Sequence, residues 1–236
     1  MSGIMISKLI SKALHEYRMI EPGDSVLLGL SGGKDSTTLL LDLAEKRRHG
    51  ELDNRLEAVH VASEFTSPTV RAMIEQLCAE RNVPLHVIEL SVRDRLKPGR
   101  TMNCYWCSTQ RRTELLRFAC AEGFTKIALG HHLDDILETL FMNMLQKAEL
   151  STMPPVMRYL KYPVTIVRPL ALVEERQITE HIRSLGLDRH VCTCGFNTNS
   201  YRDQVRSRIE AMTGGSAALK RNIYRSLGNI KHEYLA

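Results

Sequence analysis

The chain has 236 residues, 43% of them hydrophobic and 25% charged, which suits one globular domain, or one with a small appendage, and excludes a disordered chain. Lys plus Arg number 32 against 27 Asp plus Glu, and the resulting +5 is compatible with a polyanionic partner without requiring one. The longest apolar runs, residues 26–30 and 127–129, are too short to cross a bilayer and no signal-peptide pattern opens the sequence; a cytoplasmic protein without membrane association is expected, its six cysteines reduced.

In chain order, Ile4, Ile6, Leu9, Ile10, Ala13, Leu14 and Tyr17 recur at helical spacing until Pro22-Gly23 breaks the pattern, which predicts an amphipathic helix ahead of the first strand. Residues 25–30 read as a buried strand, 31–34 as a Gly-rich turn, and 35–47 as a helix with Leu39, Leu40, Leu43 and Ala44 on one face. Strands at 56–62 and 85–90 enclose a helix over 67–81, and a helix near 109–122 leads to a fourth strand at 126–129. A helix at 134–146, a loop carrying Met153-Pro154-Pro155, a fifth strand at 164–167 and a helix near 174–185 follow. Residues 188–200 are turn-rich; after Tyr201 the pattern is helical and basic, with a break at Gly214-Gly215. Strands alternating with helices of roughly ten to fifteen residues predict an α/β fold: a parallel twisted sheet with helices on both faces and right-handed crossovers. A helical C-terminal tail completes it, and ligands are expected beyond the carboxyl ends of the strands.

Ser31-Gly32-Gly33-Lys34-Asp35-Ser36 lies between an apolar strand and a helix. Two glycines permit a tight turn and close backbone approach, the helix start offers free N–H groups and a partial positive charge, and Ser31, Lys34 and Ser36 add polar donors. An ordinary strand-to-helix turn capped by Asp35 is the bland alternative. Gly130-His131-His132-Leu133-Asp134-Asp135 also follows an apolar strand and opens a helix, so it should reach the same sheet edge; simple helix capping would account for its carboxylates and histidines as well.

Cys104-Tyr105-Trp106-Cys107 has the spacing that brings two thiolates to one metal, and Cys192-Thr193-Cys194 supplies further sulfur. A structural zinc on these four cysteines is the competing possibility, while Cys78 and Cys120 fall in apolar helical patterns and belong to the core. Basic residues concentrate at Arg111, Arg112 and Arg117, and again at Arg202, Arg206, Arg208, Lys220, Arg221, Arg225 and Lys231, the second group being either a candidate grip for the phosphates of a polyanion or solvated helix faces.

The hexapeptide 31–36 resembles the PP loop of the N-type ATP pyrophosphatases, whose sheet is of the adenine nucleotide alpha hydrolase, Rossmann-like kind. With the Cys-x-x-Cys-Ser and Arg111-Arg112 that follow, Leu-Gly-His-His-x-Asp-Asp, Met-Pro-Pro, Arg168-Pro169-Leu170 and a late Cys-Gly, the chain resembles the tRNA 2-thiocytidine synthetases of the TtcA type over about residues 19–204. The resemblance implies three segments: an N-terminal helix (1–22), a PP-loop ATP pyrophosphatase domain (23–200) and a basic helical C-terminal segment (201–236). It implies ATP and Mg2+ bound by Ser31, Gly32, Gly33, Lys34, Asp35, Ser36, Gly130, His131, His132, Asp134 and Asp135. It also implies a [4Fe-4S] cluster on three cysteines, Cys104, Cys107 and one late cysteine, the open iron carrying the sulfur. Two residues separate the family's late cysteines and one separates Cys192 from Cys194, so the third ligand stays open between them; Gly195 and Arg202 keep the family's order and favour Cys194. Lys34, Asp35, Cys104, Cys107 and Cys194 are then the expected catalytic set. The implied reaction adenylates a cytidine carbonyl oxygen of tRNA and replaces it with sulfur, giving 2-thiocytidine. The implied partners are tRNA, a cysteine desulfurase or other persulfide or sulfide donor, and a second copy of the chain. A PP-loop enzyme acting on another nucleoside or on a small molecule, or a zinc-bound RNA-binding module, is the alternative.

Overall fold

Six strands form one sheet in the order β3-β2-β1-β4-β6-β5 in a computed structural model that describes residues 2–97, 99, 101–187 and 201–234. The elements are α1 (Ser2–Glu16), β1 (Ser25–Gly29), α2 (Lys34–Arg48), β2 (Arg55–Ser63), α3 (Pro68–Glu80), β3 (Leu85–Leu90), α4 (Cys104–Ala121) and β4 (Lys126–Ala128). There follow α5 (Leu133–Lys147), β5 (Val156–Arg158), β6 (Thr165–Val167), α6 (Glu175–Ser184), α7 (Tyr201–Thr213), α8 (Ala217–Ser226) and a short 3-10 turn at His232–Tyr234.

All pairings are parallel except β5 with β6, which is antiparallel. The predicted parallel sheet is present, but β5 stands where the sequence reads as a loop. Its three residues are too few to show a period-2 pattern, and Pro154-Pro155 immediately before it favour an edge position, where a missing N–H does no harm.

Alternating side chains divide the sheet between two cores, as a pleated strand dictates. Val26, Leu28, Leu56, Ala58, Ala128 and Val167 face one with α1, α2, α3 and α6; Leu27, Val59, Val61, Ile127 and Ile166 face the other with α4. On α2, Leu39, Leu40 and Leu43 are fully buried, each contributing about 1.5–3 kcal/mol. The first helix is part of this packing: Ile6, Ile10 and Ala13 share the first core, and buried Lys46 of α2 donates to Ser7 Oγ (2.9 Å) and Ser11 Oγ (2.7 Å). A third cluster joins Leu133 and Leu137 of α5 to Val205 and Ile209 of α7, seating the C-terminal helices on the helix that follows β4.

From β1 the chain builds outward through β2 to β3, then returns to place β4 on the other side of β1. Connections leaving β1 and β4 therefore diverge, and the crevice between them is where open α/β sheets bind ligands.

Candidate active site at the sheet switch point

The loop after β1 is shaped by two tight approaches. Gly32 has φ +82°, and a Cβ there would stand 2.3 Å from Val70 Cγ1, so glycine is required both by conformation and by space. Ser31 N–H donates to Ser36 Oγ (3.2 Å), Gly33 N–H donates to Ser31 Oγ (3.3 Å), and Ser36 Oγ donates to the Gly33 carbonyl (3.1 Å), which closes the loop on itself. Gly33, not Asp35, is the N-cap of α2 and supplies no side-chain cap. The first-turn N–H groups of α2 are thus left for an external acceptor, and the helix dipole favours an anionic one.

Lys34 Nζ reaches Asp35 Oδ1 (3.0 Å) and Glu175 Oε1 (3.0 Å). Burial pulls the Lys34 ammonium down, but Asp35 and Glu175 more than reverse this and hold its pKa above the ordinary lysine value. Burial pushes the Asp35 carboxyl up, only partly offset by His132 and Lys34; its buried Oδ1 accepts no hydrogen bond among the described residues despite the nearby ammonium. An oxygen held this way suits a hard cation such as Mg2+.

The loop after β4 lies directly against the first. A Cβ on Gly130 would be 2.8 Å from Ser36 N and 3.0 Å from Asp35 C, so the two motifs meet backbone to backbone. His132 caps α5 reciprocally: its Nδ1 accepts from Asp135 N–H (3.3 Å) while its own N–H donates to Asp135 Oδ2 (3.1 Å). The capping role is therefore real, and it coexists with proximity to the phosphate loop, since His132 Nε2 is 3.8 Å from Asp35 Oδ1. Asp134 turns the other way, accepting from Glu175 N–H (2.7 Å) and Lys220 Nζ (2.9 Å).

His131 joins Ser31, Ser108, Arg111 and Arg112 around a cavity of about 230 Å³ whose walls include Val59, Val61 and Leu115. Apolar walls for a flat base with cations at the rim fit a nucleotide. Burial, reinforced by Arg168, pushes the His131 pKa down to about 4, so this ring is neutral near pH 7. Among the described residues its buried Nδ1 has no partner, nor has Nε of the buried Arg168, whose Nη1 donates to the Pro154 carbonyl.

Cys104 and Cys107 occupy the first turn of α4, which starts at residue 104 and not near 109. The cap explains the longer helix: Asn103 Oδ1 accepts from Trp106 N–H (2.8 Å), offsetting the modest helix propensity of the Cys-Tyr-Trp-Cys run. At i and i+3 both sulfurs project from one helix face, Cys104 exposed and Cys107 half-buried. Two cluster ligands fit this arrangement. Cys192 and Cys194 lie outside the described residues, and among the described residues no three His, Cys, Asp or Glu side chains converge as metal ligands.

Sequence reasoning missed the acid-base lattice around the two loops. Buried Glu138, 1% exposed, pairs with Arg206 (2.6 Å) and Arg202 (3.2 Å); Arg202 also reaches Asp135 (3.2 Å), and Arg206 approaches Glu175 (3.7 Å). Spacing shows only that each set shares a face of its own helix, Asp134, Asp135 and Glu138 on α5 and Arg202 and Arg206, four apart, on α7; it does not show that the two faces meet.

Residues 5–211 match the sequence pattern of the PP-loop domain. A tRNA-cytidine(32) 2-sulfurtransferase of Methylobacillus flagellatus is 34% identical over 229 residues, 95% of this chain and 75% of that protein. One from Xylella fastidiosa is 36% identical over 236 residues, 98% of this chain and 78% of its own length. Among solved structures, the U34-tRNA thiolase NcsA from Methanococcus maripaludis with its [4Fe-4S] cluster superposes with a TM-score of 0.74 at 22% identity, covering 98% of this chain and 82% of that one. The NH3-dependent NAD synthetase of Campylobacter jejuni shares the fold more distantly, with a TM-score of 0.56 at 16% identity over the full length of both chains. With its phosphate loop and histidine-aspartate loop in backbone contact at the switch point, the chain belongs to the PP-loop family of tRNA-cytidine 2-sulfurtransferases.

Proposed function

We propose that the chain is an ATP-dependent tRNA thiolase that makes 2-thiocytidine. The cytidine carbonyl oxygen attacks the α-phosphorus of ATP and pyrophosphate leaves; a sulfur nucleophile then attacks the same carbon, the C–O bond breaks, and AMP departs with the oxygen. The observation that carries this reading is that α4 bears the Cys104-Cys107 pair at its first turn and lends Ser108, Arg111 and Arg112 to the nucleotide cavity, so thiol and nucleotide chemistry share one helix.

The uncapped start of α2, with Ser31, Gly32, Gly33, Lys34 and Ser36, would hold the departing pyrophosphate, its N–H groups facing charge that develops in the transition state. Asp35 would supply an oxygen ligand to Mg2+, while Asp134 and Asp135, held by Lys220 and Arg202, would act on that site from behind it and not as a converged ligand set. Neutral His131 lines the nucleotide cavity with Arg111 and Arg112, and Arg168 acts on His131 electrostatically; these cations and an uncharged imidazole can orient the α-phosphate, and none of the described lining residues is a carboxylate. Cys104, Cys107 and Cys194, with Cys192 as the alternative, would hold a [4Fe-4S] cluster, which when bound supplies an open iron for sulfur. A cysteine desulfurase or another persulfide or sulfide source would provide that sulfur. A homodimer working in the cytoplasm completes the reading; among the described residues no helix is long and apolar enough to cross a membrane.

Mass spectrometry of tRNA nucleosides from a deletion strain tests this. Loss of 2-thiocytidine, restored by the wild-type gene but not by Lys34→Ala, is the expected result; an unchanged nucleoside profile would overturn it.

A further inference from the structure

A second cavity, about 340 Å³, lies between the loop after β3 and the first turn of α4, lined by Leu96, Lys97, Thr101, Asn103, Tyr105 and Trp106. None of these six is acidic. Tyr105 is 81% exposed, and among the described residues its ring stacks on no other aromatic. Trp106 backs the cavity, half-buried against the core beneath α4, its Nε1 buried and, among the described residues, without an acceptor. Lys97 is exposed and makes no ion pair among the described residues. The two aromatics sit between Cys104 and Cys107, and a turn further along the same helix Ser108, Arg111 and Arg112 enter the nucleotide cavity.

We propose that this cavity takes one unpaired RNA base flanking the nucleotide to be modified, stacked on Tyr105 with its phosphate toward Lys97. The proposal rests on the tRNA-thiolase reading and adds how the RNA is gripped. A base that must reach both the nucleotide and the thiols has to leave its stack, and its neighbour then loses a stacking partner. An exposed aromatic beside the thiols offers a replacement at little entropic loss, because tyrosine has few rotamers, and the nearby ammonium matches the polyanion. The Trp106 indole at the back of the cavity adds apolar surface against which the same base can rest.

The test uses the cluster-loaded full chain and labelled tRNA. Tyr105→Ala should weaken tRNA binding by about tenfold, Tyr105→Phe should restore it, and ATP affinity should match wild type in both. Trp106 is the sole tryptophan of the chain, so its emission should change when tRNA saturates the wild-type protein. Equal tRNA affinity of wild type and Tyr105→Ala, or unchanged Trp106 emission at saturation, would overturn the proposal. Absence of any tRNA binding by the wild type would instead overturn the thiolase reading on which it stands.

Discussion

Lys34 of the phosphate loop and Glu175 at the start of α6 are joined by a 3.0 Å ion pair, so the loop's cation is positioned from an element far along the chain. Glu175 also donates its backbone N–H to Asp134 and lies 3.7 Å from Arg206. One glutamate thereby connects the phosphate loop, the histidine-aspartate loop and α7.

Removing the charge of that glutamate should therefore impair the loop without unfolding the protein. Glu175→Gln is expected to lower kcat/KM for ATP by about ten- to hundredfold, the equivalent of one charge-assisted hydrogen bond of about 1.5–3 kcal/mol. Lys34→Ala and Asp35→Ala should nearly abolish ATP-dependent modification. Steady-state turnover with a circular dichroism melt for each variant separates lost chemistry from lost fold; normal turnover in Lys34→Ala would remove the phosphate-loop assignment.

The two loops were legible in the sequence because glycine pairs and clustered polar residues interrupt apolar strands at fixed places, and short-range geometry did the rest. The lattice behind them was not. Glu138 is in contact with Arg202 and Arg206 only because α7 returns to pack on α5, a tertiary event that no local period reports. Likewise the helical start at Cys104 depended on one cap, Asn103, whose effect outweighs the propensities of the residues after it.

Acid should loosen this lattice from the Asp134 side. Burial raises the Asp134 carboxyl, but the Glu175 N–H and Lys220 more than reverse that and hold it below the ordinary aspartate range. A carboxyl with a depressed folded pKa adds stability above its unfolded pKa of about 3.9, and that contribution is lost as pH falls through the folded value. Wild-type Tm should thus decline below about pH 4, and Asp134→Asn should lack part of that decline while starting from a lower Tm at neutral pH. Thermal melts at a series of pH values check it; identical pH profiles would mean that the Lys220 pair contributes nothing to seating α8.

The cysteines should divide by environment. Cys78 is buried and burial pushes its thiol up to about 11, so it should resist alkylation, whereas exposed Cys104 should react readily in the cluster-free protein. Cys104→Ala and Cys107→Ala should lose iron and thiolation together, while Cys78→Ala and Cys120→Ala lower stability by at most a few kcal/mol. Anaerobic iron and sulfide counts decide the matter: equal iron in wild type and Cys107→Ala would remove the cluster assignment.

The basic C-terminal segment needs a sharper test than its charge suggests. The sequence offered Arg202, Arg206, Arg208, Lys220, Arg221 and Arg225 together as phosphate contacts, yet Arg202 and Arg206 hold Glu138, Lys220 holds Asp134, and Arg221 lies 3.7 Å from Glu174. Ion pairs of this kind are spent on seating α7 and α8 against α5 and α6, so neutralising those side chains should lower Tm first and weaken RNA binding only as a consequence. Arg208 and Arg225 are exposed, and among the described residues neither forms an ion pair; Arg112 and Arg117 on α4 are exposed too. A double Arg208, Arg225→Ala variant should keep its Tm, lose tRNA affinity, and flatten the salt dependence by roughly one unit of slope per lost phosphate contact. If instead its salt line coincides with wild type while Arg112, Arg117→Ala flattens, the RNA lies across α4, on the side of the thiols and of Tyr105, and the C-terminal helices serve only to brace the two loops.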